Sequence, residues 1–253
     1  MDRTKRYSRL AGGISIGSEE VTAGTLSGWF TDLKDREQVL VSCWHVFKGK
    51  PGETRILQPG RYDGGRIPND IVGTLKRYVP LDRYGKLPWW KRIICMLFGW
   101  FLEEWCLAGK EPNLVDVACA RFEPWGEDRI LVKGVYLDDG SIIWPRGTHD
   151  GDNIVGRRVW KSGRSTGVTF GTVIDDSATV KVWYGDRYIL FQDQIIVEGR
   201  CEPGDSGSPV FLMSGDRISE NDMLVGLLFA GNPRIYVACK YKHIRELLGV
   251  SWY

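Results

Sequence analysis

Apolar residues fall in short runs or alternate with polar ones, the period of a strand, and clusters of Gly, Pro, Asp and Asn separate the runs. Residues 12–30 bend through glycine, as Gly12-Gly13-Ile14-Ser15-Ile16-Gly17 and then Gly24-Thr25-Leu26-Ser27-Gly28-Trp29-Phe30, which suits the tightly curved first strands of a small barrel. Residues 39–45, 71–79 and 115–122 predict further strands of that first unit. A link at 123–128 leads to a second set at 130–137, 155–161, 168–174, 178–183, 188–197, 208–213, 223–230 and 234–239. Tyr184-Gly185-Asp186-Arg187 reads as the turn of a hairpin, and 242–248 as a short amphipathic helix stopped by Gly249.

One stretch breaks the pattern. Pro88-Trp89-Trp90-Lys91-Arg92 leads into Ile93-Ile94-Cys95-Met96-Leu97-Phe98-Gly99-Trp100-Phe101-Leu102, ten consecutive uncharged residues, mostly large and apolar. That is too few for a transmembrane helix, which needs about 20. As a helix the stretch is apolar nearly all round and demands a cover. Three covers suit it: the first barrel, a protein partner, or a membrane surface, the last suggested by its tryptophans and by Lys91 and Arg92. The expectation is a helical insertion at about 85–110, with 89–107 docking outside the barrel.

The chain has 253 residues, 43% of them hydrophobic, enough for two barrels of about 110–120 residues each. A net charge of +2 gives no electrostatic case for nucleic acid. Residues 1–10 carry Arg3, Lys5, Arg6 and Arg9 against Asp2 and are expected as a flexible basic arm. The expected divisions are therefore 1–10, a first barrel over 11–124 and a second over 125–253. No apolar stretch precedes Leu10, so no secretory signal is read. The six cysteines, at 43, 95, 106, 119, 201 and 239, lack the paired spacing of metal ligands, and nothing in the sequence asks for a metal or cofactor.

The candidate chemistry centres on Pro203-Gly204-Asp205-Ser206-Gly207-Ser208-Pro209. A serine between glycines sits on a turn where backbone N–H groups can approach a carbonyl closely. Its hydroxyl is a weak nucleophile until a base takes its proton. Of the three histidines, His149 lies in a Gly/Asp-rich loop and His243 in a basic C-terminal segment; His45 ends the apolar run Val39-Leu40-Val41-Ser42-Cys43-Trp44 and is the candidate base. Asn113-Leu114-Val115-Asp116-Val117-Ala118-Cys119-Ala120 sets one carboxylate inside an apolar strand, where it needs a partner that a histidine N–H can supply.

The order His45, Asp116, Ser206 resembles that of the chymotrypsin-like serine peptidases. Val159-Trp160-Lys161-Ser162-Gly163-Arg164-Ser165-Thr166-Gly167-Val168-Thr169-Phe170-Gly171 and Glu202-Pro203-Gly204-Asp205-Ser206 are similar to the bacterial alpha-lytic protease and streptogrisin branch. The resemblance spans roughly residues 11 to 248. It implies two six-stranded antiparallel β-barrels with a short C-terminal helix, and a serine endopeptidase acting on a peptide or protein substrate. Ser206 is then the nucleophile, His45 the base and Asp116 its orienter, with the N–H groups of Gly204 and Ser206 as oxyanion hole. The equivalent of Asp205 in the bacterial branch pairs with an arginine whose position here is Lys161. Alignment sets the pocket base near Arg200, Cys201 and Glu202, with Arg200 either favouring acidic side chains or pointing to solvent; Phe229-Ala230-Gly231 corresponds to the substrate-pairing edge. Where secreted relatives carry disulfides this chain has Trp160, Phe170 and Val46, which implies aromatic packing in place of cross-links and a reducing, cytoplasmic or membrane-peripheral setting. The alternative function is a catalytically inactive module of the same fold that binds a peptide, protein or membrane surface through 89–107.

Overall fold

In the computed structural model, residues 1–21, 23–81, 112–126, 128–185 and 188–252 are described. The hydrophobic insertion, 85–110, lies outside them. The strands are β1 (Arg9–Gly12), β2 (Ser15–Ser18), β3 (Gly24–Thr25), β4 (Gly28–Asp32), β5 (Gln38–Ser42), β6 (Arg55–Leu57), β7 (Ile71–Tyr78) and β8 (Ala118–Phe122), with a one-turn helix α1 (Trp44–Phe47) after β5. There follow β9 (Ile130–Tyr136), β10 (Ile142–Ile143), β11 (Gly147–Thr148), β12 (Arg158–Gly163), β13 (Gly167–Trp183), β14 (Tyr188–Gly199), β15 (Pro209–Leu212), β16 (Met223–Gly231) and β17 (Ile235–Lys240). Helix α2 (Tyr241–Leu248) and β18 (Val250–Ser251) end the described chain.

Both units close in the same strand order. In the second, β12-β13-β14-β17-β16-β15 returns to β12, so its first strand pairs with its second and fourth. In the first, β2 pairs with β3 and β6, and β4-β5-β8-β7-β6 completes the ring, with β3 and β4 as two halves of one bent strand. Glycine makes the bend: Gly28 sits at φ +141°, with Trp252 against the position a Cβ would take. Closure pairs most strand edges among the described residues, the usual solution for an antiparallel sheet of this size; in the second ring the β16 edge beyond Leu227 lies outside its pairing with β15.

Four expectations change. Residues 1–10 are not a solvated arm: Arg3 is 4% exposed, and its guanidinium donates to Gly13 O, Ser162 Oγ and Tyr136 O and pairs with Asp138, while β1 lies parallel to β9. Charge density marks a solvated segment only when no buried acceptors await it. The second unit does not keep the whole C-terminus, because β18 pairs with β4 and the Trp252 ring packs against both Phe30 and Phe211. Segments 168–174 and 178–183 form one long strand, β13, with register shifts over residues 173–180 that the polar run there had disguised as a break. Trp160 and Phe170 are register partners, yet Trp160 stacks on Phe211 (4.6 Å) and Phe170 is half exposed.

Candidate active site

The site lies where the two barrels meet. His45 does not end a strand: β5 stops at Ser42 and the imidazole rides on α1, whose Val46 and Phe47 are buried against the first barrel. Asp116 likewise precedes its strand, since β8 begins at Ala118. Both corrections have one cause. An apolar run marks burial, and buried irregular backbone leading into a strand reads the same way.

The Asp116 side chain is fully buried and faces His45, with Oδ2 2.5 Å from Nδ1 and Oδ1 accepting the His45 backbone N–H at 3.3 Å. A third donor was missed in the sequence: the Tyr184 hydroxyl donates to Oδ2 at 2.5 Å. Burial pushes the Asp116 carboxyl up, but His45 and the Tyr184 hydrogen bond outweigh it and hold the group below the usual carboxylate range. Burial and the same carboxylate push the Tyr184 phenol well up, so it remains a donor. The signal available was indirect: one buried aspartate needs more than one donor, and Trp183-Tyr184 supplies aromatic groups at a hairpin tip.

Ser206 follows the turn at Gly204. Its Oγ hydrogen-bonds to Phe229 O at 3.4 Å, and it lines one cleft of about 980 Å3 together with His45. The N–H groups of Asp205, Gly207 and Ser208 donate to Glu202 O, Leu228 O and Asp205 O, whereas among the described residues those of Gly204 and Ser206 donate to no protein group. Two free, neighbouring N–H groups make a receptor for an oxyanion. Gly204 needs its lack of a side chain: φ is +99°, and a Cβ would come within 2.4 Å of Arg164 Nη1.

Beneath this loop the Asp205 carboxylate takes five contacts. Lys161 Nζ lies 3.1 Å from Oδ2, Thr166 Oγ1 donates to Oδ2 at 2.7 Å, and the N–H groups of Ser165, Thr166 and Glu202 donate at 2.9, 3.1 and 3.0 Å. From the first barrel, Thr25 grips the same loop: its N–H donates to Ser206 O and its Oγ1 to Gly204 O, both at 2.8 Å. No motif in the sequence pointed to Thr25, because the contact spans 179 residues.

The remaining sequence candidates separate. Arg200 turns to solvent, two-thirds exposed, and pairs with Glu202 at 2.6 Å, so the alternative of a basic pocket floor is not realised. Cys201 is buried, lines the cleft beside Glu202, and donates to Asn232 O at 3.2 Å; burial pushes its thiol up to about 11. Phe229, Ala230 and Gly231 line the cleft at the end of β16, as do Val180, Val182 and Trp183 of β13. Cys43, His45 and Asp116 have potential ligand atoms within 4.8 Å of one another, but His45 Nδ1 and Asp116 Oδ2 face each other and Cys43 Sγ donates to Leu228 O, so these groups are engaged as a hydrogen-bonded set. The four described cysteines, Cys43, Cys119, Cys201 and Cys239, are buried free thiols.

No protein-family profile matches this chain, and no curated protein matches it by sequence. Solved structures do. Protease A of Thermobifida fusca is 15% identical with a TM-score of 0.60, over 96% of this chain and 97% of that one. A Nocardiopsis protease is 17% identical with a TM-score of 0.60, over 96% and 98%. A serine protease described as specific for glutamic acid and as using a histidine triad in substrate binding is 17% identical with a TM-score of 0.59, over 96% and 100%. At these identities the likeness is one of fold, and the fold is that of the bacterial chymotrypsin-like serine proteases.

Proposed function

We propose that this protease-fold protein is an active serine endopeptidase that works through an acyl-enzyme. The observation that carries the reading is the fully buried Asp116 held on His45, which lines the same cleft as Ser206, beside two N–H groups that donate to no described protein group. Ser206 Oγ attacks a peptide carbonyl as its proton passes to His45 Nε2; the developing oxyanion takes the N–H groups of Gly204 and Ser206, each worth about 3 kcal/mol. His45 then protonates the leaving amine, and water repeats the sequence on the ester. The 3.4 Å contact of Ser206 with Phe229 O is compatible with this, since such hydroxyls tighten onto the base only with substrate present.

Substrate recognition follows from the sheet. β15 pairs with β16 only as far as Leu227, and the N–H of Leu228 donates to Ser208 O. From Phe229 onward that edge faces the cleft, and an extended peptide can add to it as a strand. With Leu228, Ala230, Val180 and Val182 in the walls, the cleft favours uncharged side chains.

A fluorophosphonate probe tests the reading, applied to the wild type beside Ser206→Ala and His45→Ala. Labelling of the wild type alone supports it. Labelling no stronger than in Ser206→Ala sinks it and leaves a protease-fold binding module.

A further inference from the structure

The β13–β14 hairpin does two things at once. The C-terminal end of β13 walls the cleft with Val180, Val182 and Trp183, and the next residue, Tyr184, reaches under the base to Asp116. Its ring meets His45 edge-on, with centroids 5.8 Å apart at 86°, and stacks on Phe191 at 6.1 Å. Phe191 in turn packs against Phe229 (4.7 Å), whose carbonyl accepts the Ser206 hydroxyl. Tyr184 therefore touches both the acid and the base, and its ring stacks on Phe191, which links it to the substrate edge.

Asp116 leaves no slack for losing that contact. The carboxylate is fully buried, and among the described residues two of its three donors come from one residue, His45. Oδ2, the oxygen that faces Nδ1, is also the oxygen Tyr184 holds. With the His45 backbone N–H on Oδ1, a phenol on Oδ2 gives the carboxylate a second fixed point that does not depend on where the His45 ring sits.

We propose that Tyr184 is a positioning residue of the catalytic set, and that it makes the substrate-facing hairpin part of the machinery that aims the acid at the base. Contact of a peptide with Trp183 and Val182 and alignment of Asp116 are then two ends of one rigid element. This inference rests on the peptidase reading above.

The test is Tyr184→Phe, which keeps the ring and removes only the hydroxyl, with steady-state kinetics on a short peptide over pH 5 to 9. The expected result is a fall in kcat of about tenfold, as for loss of one hydrogen bond to a charged group, with KM within about twofold. The acidic limb of the pH–rate profile moves to higher pH, because a carboxylate relieved of one donor holds the imidazolium more strongly. The titratable groups facing Asp116 are His45, Tyr184, Cys43 and Cys239; the two thiols stay neutral across that range, burial having pushed Cys43 well up and Cys239 to about 12. Unchanged kcat and an unchanged profile overturn the proposal. If Tyr184→Phe does not fold, 3-fluorotyrosine at 184 decides: the stronger donor moves the acidic limb to lower pH, and no movement overturns the idea. Wild-type protein that the fluorophosphonate does not label would instead defeat the peptidase reading on which this one stands.

Discussion

Lys161 and Asp205 meet at 3.1 Å with both side chains fully out of solvent. Burial works against the Asp205 charge, but the Lys161 ammonium, Thr166 and the backbone donors hold its carboxyl below the usual range. Among the described residues Lys161 is thus the one cation on a carboxylate lying directly under the Gly204–Ser206 loop. Lys161→Met is expected to lower stability by about 3 kcal/mol, the low end for an orphaned buried charge because four other donors remain. Turnover falls further than KM rises, as the loop that meets the transition state loosens. Thermal melts together with kcat and KM on one peptide check both halves.

Gly204→Ala probes the receptor itself. The left-handed φ of +99° and the Arg164 and Ser165 side chains within 2.5 Å of a new methyl force the loop to shift. The expected loss is about a hundredfold in kcat, the scale for one misplaced oxyanion donor, with fluorophosphonate labelling slowed in proportion.

Arg200→Ala should do almost nothing. The guanidinium points to solvent and its pair with Glu202 is exposed, a class of contact worth little. Preference among acidic, apolar and basic substrate side chains is expected to stay within about twofold. A collapse of cleavage after acidic residues would return Arg200 to the pocket. Cys201→Phe, by contrast, fills the cleft from a buried position and should raise KM steeply.

Acid sensitivity has a named contributor. Asp193 binds Lys240 at 2.5 Å and His243 at 2.7 Å, and although burial opposes its charge these partners draw its pKa from 3.8 to about 2. A depressed carboxylate stabilises the fold above its unfolded value and loses that contribution as pH falls through the folded one. Wild-type Tm should therefore drop between pH 4 and pH 2 more than that of Asp193→Asn, and asparagine tolerates the φ of +57° at this position. Parallel Tm curves for the two proteins over that window would dismiss the pair.

The strand pattern was legible because closed barrels impose their period on the sequence, and the order of His45, Asp116 and Ser206 was legible because a turn as demanding as Gly204–Ser206 leaves few residue choices. What stayed hidden is of one kind. Arg3, Thr25 and Tyr184 act through partners more than 60 residues away, Ser162, Gly204 and Asp116, and a one-dimensional pattern carries no trace of such pairings. The misjudged boundaries at His45 and Asp116 arose because burial was legible while backbone conformation was not. Lys161 could be matched to Asp205 by resemblance; Tyr184 had no such guide.

Because His45 and Asp116 ride on the first barrel while Ser206 and Tyr184 ride on the second, the proposed hydrolysis would act as a coincidence detector for the two barrels. On that reading neither half carries a working fragment of the chemistry, so the rate would track whichever barrel is the less stable, whatever the margin of the other. Denaturation followed by activity should then precede denaturation followed by total strand content whenever the two melt apart. The seam between them, stitched by Thr25, Arg3 and Trp252, is where a distant substitution would most readily abolish the proposed activity without unfolding the protein.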